Sequence, residues 1–186
     1  MATRILRPPT LREVTTHFRR RLDKFAMRTL PGRRVQRVTR VVKQLHSLVA
    51  PRVVASYIRT VCDGWATLSR FQCRGLCRFG CGNEQDSISH IARCPRAAGW
   101  VFQFSQLRRP PVGWELDFLF CMTDEAFDAR HITRPVSGVD DVLQARALHL
   151  YALYRLHNGV RNNNFVNGDL EGGYRGYLRE GRLAFD

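Results

Sequence analysis

Three cysteines and a histidine in one short window constrain the middle of this chain more than any other feature. The pattern is Cys77-x3-Cys81-x8-His90-x3-Cys94. Zinc in structural sites takes four sulfur or nitrogen donors in a tetrahedron, all from protein. Two cysteines on a tight turn can aim both sulfurs at one ion, and Gly80 and Gly82 permit such a turn. His90 and Cys94 are four residues apart, so one turn of helix sets both on one face. We therefore expect a structural Zn2+ held by Cys77, Cys81, His90 and Cys94, with no open position left for catalysis. Cys73 stands four residues before Cys77 and is an alternative ligand to it; Cys77 is preferred because its turn to Cys81 is shorter and ends in glycine. The plainer alternative, buried cysteines around a core histidine, leaves the clustering unexplained. Cys62 and Cys121 lie in apolar stretches and read as core residues.

Around this window the chain reads as helix. Thr10 and Glu13 have the spacing of a capping box, and Leu11, Val14, Phe18, Leu22 and Phe25 form one helical face. Pro31-Gly32 ends that helix. Val35, Val38, Val42, Leu45 and Val49 make a second stripe, closed by Pro51; Val54, Tyr57, Ile58, Val61 and Trp65 make a third. Residues 71–83 are glycine-punctuated and read as a turn or small hairpin, followed by a short helix capped by Asp86-Ser87. Ala97 to Leu107 is helical. Pro110-Pro111 breaks the chain before an apolar cluster at Trp114 to Phe120. Leu143, Ala147, Leu150 and Tyr154 share a face of a long helix that begins near Ser137-Gly138-Val139-Asp140. From Asn162 onward the chain is rich in Asn and Gly and is expected to be loop with one short helical turn. The fold expected is mostly α, with two helical halves flanking a small zinc knuckle and minimal β. Its segments are a basic helical region (1–68), the knuckle (69–96) and a C-terminal helical region with a Gly/Asn-rich tail (97–186).

Charge indicates the partner. Of 186 residues, 30 are Lys or Arg and 16 are Asp or Glu, a net +14. Such an excess suits a polyanion, most often nucleic acid. Only Lys24 and Lys43 are lysines. Arginine offers a planar fork for phosphate and a face for stacking, which lysine does not; an arginine-favouring codon bias is the plainer source of the excess. Arg19, Arg20, Arg21, Arg33, Arg34, Arg37 and Arg40 lie off the apolar stripes and are expected to face solvent or a phosphate backbone, either RNA or DNA. No apolar run reaches the length of a spanning helix, so no membrane role is expected. The start of the chain has no apolar stretch of signal-peptide length; with clustered thiols, this leads us to expect an intracellular, nuclear protein.

Gly64-Trp65-Ala66-Thr67, Arg70-Phe71, Cys77-Arg78-Phe79-Gly80-Cys81 and Ser89-His90-Ile91-Ala92-Arg93-Cys94-Pro95 together resemble the zinc-binding C-C-H-C region near the C-terminus of non-LTR retrotransposon reverse transcriptases. The resemblance covers about residues 55 to 100. It implies the same four ligands and a module that helps hold an RNA or DNA template. Two features depart from the family pattern: the His-to-Cys gap is three residues rather than four, and Ser89 stands where an acidic residue is commoner.

Enzyme chemistry is not expected. A polymerase palm needs paired aspartates on a hairpin, and the adjacent pair here, Asp140-Asp141, sits at a helix start, where capping accounts for it. Nucleases that follow the knuckle in such elements use Asp, Glu and Lys, and no lysine follows Lys43. The expectation is a non-enzymatic, zinc-stabilised nucleic-acid-binding module, a truncated or stand-alone remnant of a retroelement. The alternatives are a zinc-stabilised protein-interaction scaffold and a degraded nuclease. His149 and His157 read as surface or core histidines. Tyr174, Arg175, Tyr177 and Arg179 either stack on bases or latch the tail onto the helices.

Overall fold

The computed structural model describes residues 11–82, 84–105, 107–123, 139–164 and 168–182. Among them are eight α-helices: α1 (Leu11–Leu22), α2 (Pro31–Leu48), α3 (Pro51–Val61), α4 (Ile88–Arg93), α5 (Pro95–Gln103), α6 (Glu115–Leu119), α7 (Val139–Arg161) and α8 (Leu170–Arg182). An antiparallel bridge between Leu76 and Gln85 closes the knuckle. The mostly helical expectation holds. No helix among the described residues is long and apolar enough to cross a membrane.

Prolines set the boundaries. Pro31, Pro51 and Pro95 each stand in the first turn of a helix, where a missing N–H leaves no bond unmade. The residues that stop one helix therefore open the next. α1 ends at Leu22, so Phe25 is buried from the following turn rather than from a helical stripe. Two buried charges hold that turn. Asp117 accepts from the backbone N–H groups of Arg28 and Thr29, both at 2.8 Å, and from the Thr29 hydroxyl. The Arg34 guanidinium donates to the carbonyls of Thr29, Met27 and Leu22.

α7 is the central element. It packs on α2 and α3 on one side and on α8 on the other. Val38, Leu45, Val53, Tyr57, Ala147, Leu150, Leu153 and Leu156 are almost wholly buried between them. The same hydrophobic cluster takes in Cys77, Phe79, Ile88, Ile91 and Cys94, so the knuckle is packed on the helices. Phe79 meets the edges of Trp100 and His157, with ring centroids 5.5 and 6.1 Å away.

The loop expected after Asn162 is corrected. Residues 170–182 form a helix of more than three turns despite four glycines. Asp169 starts it by accepting from Gly172 N at 2.8 Å. Tyr174 and Leu178 then bury one face against α7, and Gly181 permits close approach: a Cβ there would lie 2.9 Å from Leu148 Cδ2 and 3.1 Å from Tyr151 Cδ1. Tertiary burial outweighs the poor helix propensity of glycine. Thr10, Ser137 and Gly138, invoked above as helix starts, lie outside the described residues; Asp140 and Asp141 do fall in the first turn of α7.

Candidate metal centre

The knuckle is built from short-range bonds. Cys77 N donates to Glu84 O and Asp86 N to Gly75 O, which brings the two arms of the hairpin together. The turn between Cys77 and Cys81 closes with Gly80 N on Cys77 O at 3.0 Å. Gly80 and Gly82 have φ of 73° and 75°, in the left-handed region that glycine enters at little cost. Ser87 caps α4 by accepting from His90 N at 3.0 Å. α4 then turns His90 inward, and Cys94 sits at the junction where α4 ends and α5 begins.

These constraints gather four donors. The ligand atoms of Cys77, Cys81, His90 and Cys94 all lie within 4.8 Å of one another. Cys77 Sγ and Cys94 Sγ are 3.8 Å apart, and Cys81 Sγ is 3.1 Å from His90 Nε2. With Zn–S bonds of about 2.3 Å, two sulfurs at tetrahedral corners stand about 3.8 Å apart, so the sulfur edge already has the size zinc requires. Cys77, His90 and Cys94 are buried, and Cys81 is half-buried. Cys73 lies outside the group. It is exposed, with its Sγ against Phe71 O, so the gathered donor group includes Cys77 and not Cys73.

The surroundings favour thiolate at Cys94. The Cys94 thiol falls to about 5, first because of the hydrogen bond with Cys77, and further, against its burial, because the backbone N–H groups of Ala97 and Arg96 face its sulfur at the start of α5. Cys77 moves upward as the other half of the same pair, through its bond to Cys94 and through burial. A cation between the two sulfurs removes the conflict that forces one of them to keep its proton.

His90 is oriented for the task. Its Nε2 faces the sulfurs, while Nδ1 is buried and makes no hydrogen bond, with Glu84 Oε2 3.3 Å away. Arg93 Nη2 stands 3.5 Å from the same carboxylate oxygen. A carboxylate beside the remote nitrogen of a ligating histidine fixes its tautomer and raises its basicity.

The structure also gives Asp86 and His157 a role that the sequence did not indicate. Asp86 is wholly buried and ties the knuckle to the helices. His157 Nε2 is 3.1 Å from each of its oxygens, Leu68 N donates to it at 3.0 Å, and Arg78 Nε is 3.4 Å away. Burial by itself would raise this carboxyl, but His157, the Leu68 amide and Arg78 together hold it below its ordinary range. The signal at position 86 was read as helix capping, a role that falls to Ser87. His149 is also internal. It bonds the Tyr174 hydroxyl, and burial, aided by Arg182, lowers it to about 3, so it is neutral.

The arginines part company. Arg19, Arg20, Arg33 and Arg40 are exposed, while Arg21 and Arg37 are half-buried. Arg34, expected on the outer face, is buried at 7% exposure, with its donors on three carbonyls and Asp23 3.6 Å away. The stripe rule misplaced it because the turn after α1 folds over the start of α2 and needs a donor there.

No family model matches this chain, and no curated protein or solved structure matches it.

Proposed function

We propose that this chain is a non-enzymatic, zinc-stabilised nucleic-acid-binding module, related to the C-C-H-C region of non-LTR retrotransposon reverse transcriptases and acting in the nucleus. The observation that carries the reading is the closed Cys3His donor set packed into the core of a chain with a net charge of +14. When bound, zinc would supply a fixed tetrahedral crosslink between the Cys77–Cys81 turn and the α4–α5 junction. Glu84 Oε2 stands 3.3 Å from the remote nitrogen of His90, and the N–H groups at the start of α5 stabilise the Cys94 thiolate. The protein supplies all four ligands, so the metal has a holding role. The exposed arginines supply the attraction for phosphate.

A protein-interaction scaffold is the second reading, favoured by one observation: Phe71 and Leu76, both on the knuckle, are 58% and 63% exposed. An electrophoretic mobility shift with the zinc-loaded full chain, run over a salt series, separates the two. The nucleic-acid reading predicts that log affinity falls steeply and linearly with log salt. Absence of binding at low salt contradicts it and favours the scaffold. Metal-dependent cleavage of supercoiled DNA would overturn the non-enzymatic part.

A further inference from the structure

A groove opens between α2 and the segment that carries α6. Its lining includes Arg28, Arg33, Arg37, Arg40, Trp114 and Thr123. Residues 33, 37 and 40 follow the i, i+4, i+7 spacing of one helical face, which at 1.5 Å per residue extends about 10 Å along α2. No carboxylate among the described residues lines it.

Its arginines are of two kinds. Arg37 and Arg28 are anchored. Arg37 donates through Nε to Cys121 O at 3.1 Å and through Nη2 to Thr123 O; Arg28 donates through Nε to Gly113 O at 3.2 Å and through Nη2 to Val112 O. Each uses one edge of its guanidinium and leaves Nη1 without a partner among the described residues. Arg28 is fixed twice, since buried Asp117 holds its backbone N–H as well. Its side chain is exposed, and its Cζ lies 5.8 Å from the centroid of the Trp114 ring, within cation–π reach, so a guanidinium and an indole stand side by side on the groove. Arg33 and Arg40 are exposed and make no hydrogen bond or ion pair among the described residues.

Pre-set guanidinium planes beside free arginines along one line match a particular ligand chemistry. Phosphates spaced along a strand take the free forks, and an unstacked base takes the flat plane. An acidic peptide would use the charges but has no use for the guanidinium and indole set beside them. We infer that this groove is the seat of a single nucleic-acid strand, with phosphates on Arg33, Arg37 and Arg40 and a base stacked on Arg28. This inference rests on the nucleic-acid reading and narrows it to a place and a strand state. It also adds Arg28 and Trp114, which composition could not single out.

The test uses fluorescence anisotropy of the zinc-loaded full chain with a mixed-sequence oligonucleotide, as single-stranded RNA, single-stranded DNA and DNA duplex, over a KCl series. Arg33→Gln/Arg40→Gln should weaken single-strand binding roughly tenfold or more and flatten the salt slope by about 1.4, at about 0.7 per phosphate contact. Arg28→Lys, which keeps the charge and loses the plane, should weaken binding several-fold and leave the slope unchanged. Arg108→Gln/Arg161→Gln, which removes two exposed charges elsewhere, should change affinity less than twofold. Circular dichroism melts confirm that each variant is folded. If the groove variants bind like the parent while Arg19→Gln/Arg20→Gln loses affinity, the groove assignment is overturned and the nucleic-acid reading stands. Equal binding of duplex, or displacement of the strand by polyglutamate at equal charge, overturns the single-strand assignment. If the parent chain binds none of the three, the nucleic-acid reading itself fails.

Discussion

Glu84 stands 3.3 Å from the buried Nδ1 of His90, with Arg93 on the same oxygen. Its carboxylate is half exposed, so its replacement leaves the core intact and isolates the effect on the ligand. Glu84→Gln should lower zinc affinity about 10- to 100-fold, read by competition with a chelating dye; unchanged affinity would remove Glu84 from the site. The cysteines divide in the same assay. Cys77→Ser should abolish stoichiometric zinc, whereas Cys73→Ser should leave it, because Cys73 is exposed and lies outside the donor group. The reverse result would exchange their roles. At this scale the ligands were legible because their chemistry is carried by residue type and spacing. Glu84 was not, since its function depends on a hairpin bridge that folds position 84 back beside position 90. Arg34 was misplaced for a related reason: a periodicity rule follows one helix and cannot see the turn that folds over it.

α8 shows what an element can do against its own composition. Its glycines lower the intrinsic preference for helix, and the expectation of loop followed from that. The stripe of Tyr174 and Leu178, with Asp169 at the start, was the signal available. What decides the outcome is the surface of α7, which only the fold supplies. Two of its glycines should therefore respond to substitution in opposite senses. Gly176 has no atom within 4 Å of an added Cβ, so Gly176→Ala should raise stability by about 0.5–1 kcal/mol. Gly181 sits against the Tyr151 ring, so Gly181→Val should lower it by about 1–3 kcal/mol. Urea midpoints of the two variants measure both. Similar, small effects at both sites would mean that α8 does not pack on α7 as described. The elements from 31 to 61, by contrast, were readable because stripe, proline and packing all agree.

At the scale of the molecule, the knuckle and the helices are joined by a buried acid. Asp86 lies on the knuckle, His157 on α7, and both are wholly buried. Asp86→Ala leaves His157, Arg78 and the Leu68 amide without their partner, so it should cost about 3–5 kcal/mol at neutral pH. Because the folded carboxyl is held below its ordinary range, its contribution is whole at neutral pH. That contribution is lost as pH falls through the depressed value. The difference between parent and Asp86→Ala in urea midpoint should therefore shrink on acidification. A gap that stays constant would mean that Asp86 is not held as the carboxylate. The knuckle's apolar residues, Phe79, Ile88 and Ile91, are few, and they share their core with the helices. Zinc removal should consequently loosen residues 73–94 first and lower the stability of the whole.

The central claim is that Cys77, Cys81, His90 and Cys94 bind one zinc ion. X-ray absorption at the zinc edge of the purified full chain tests it most directly. The expected spectrum shows stoichiometric zinc with three sulfurs at about 2.3 Å and one nitrogen at about 2.0–2.1 Å. A spectrum with oxygen ligands, fewer than three sulfurs, or no stoichiometric metal would contradict it.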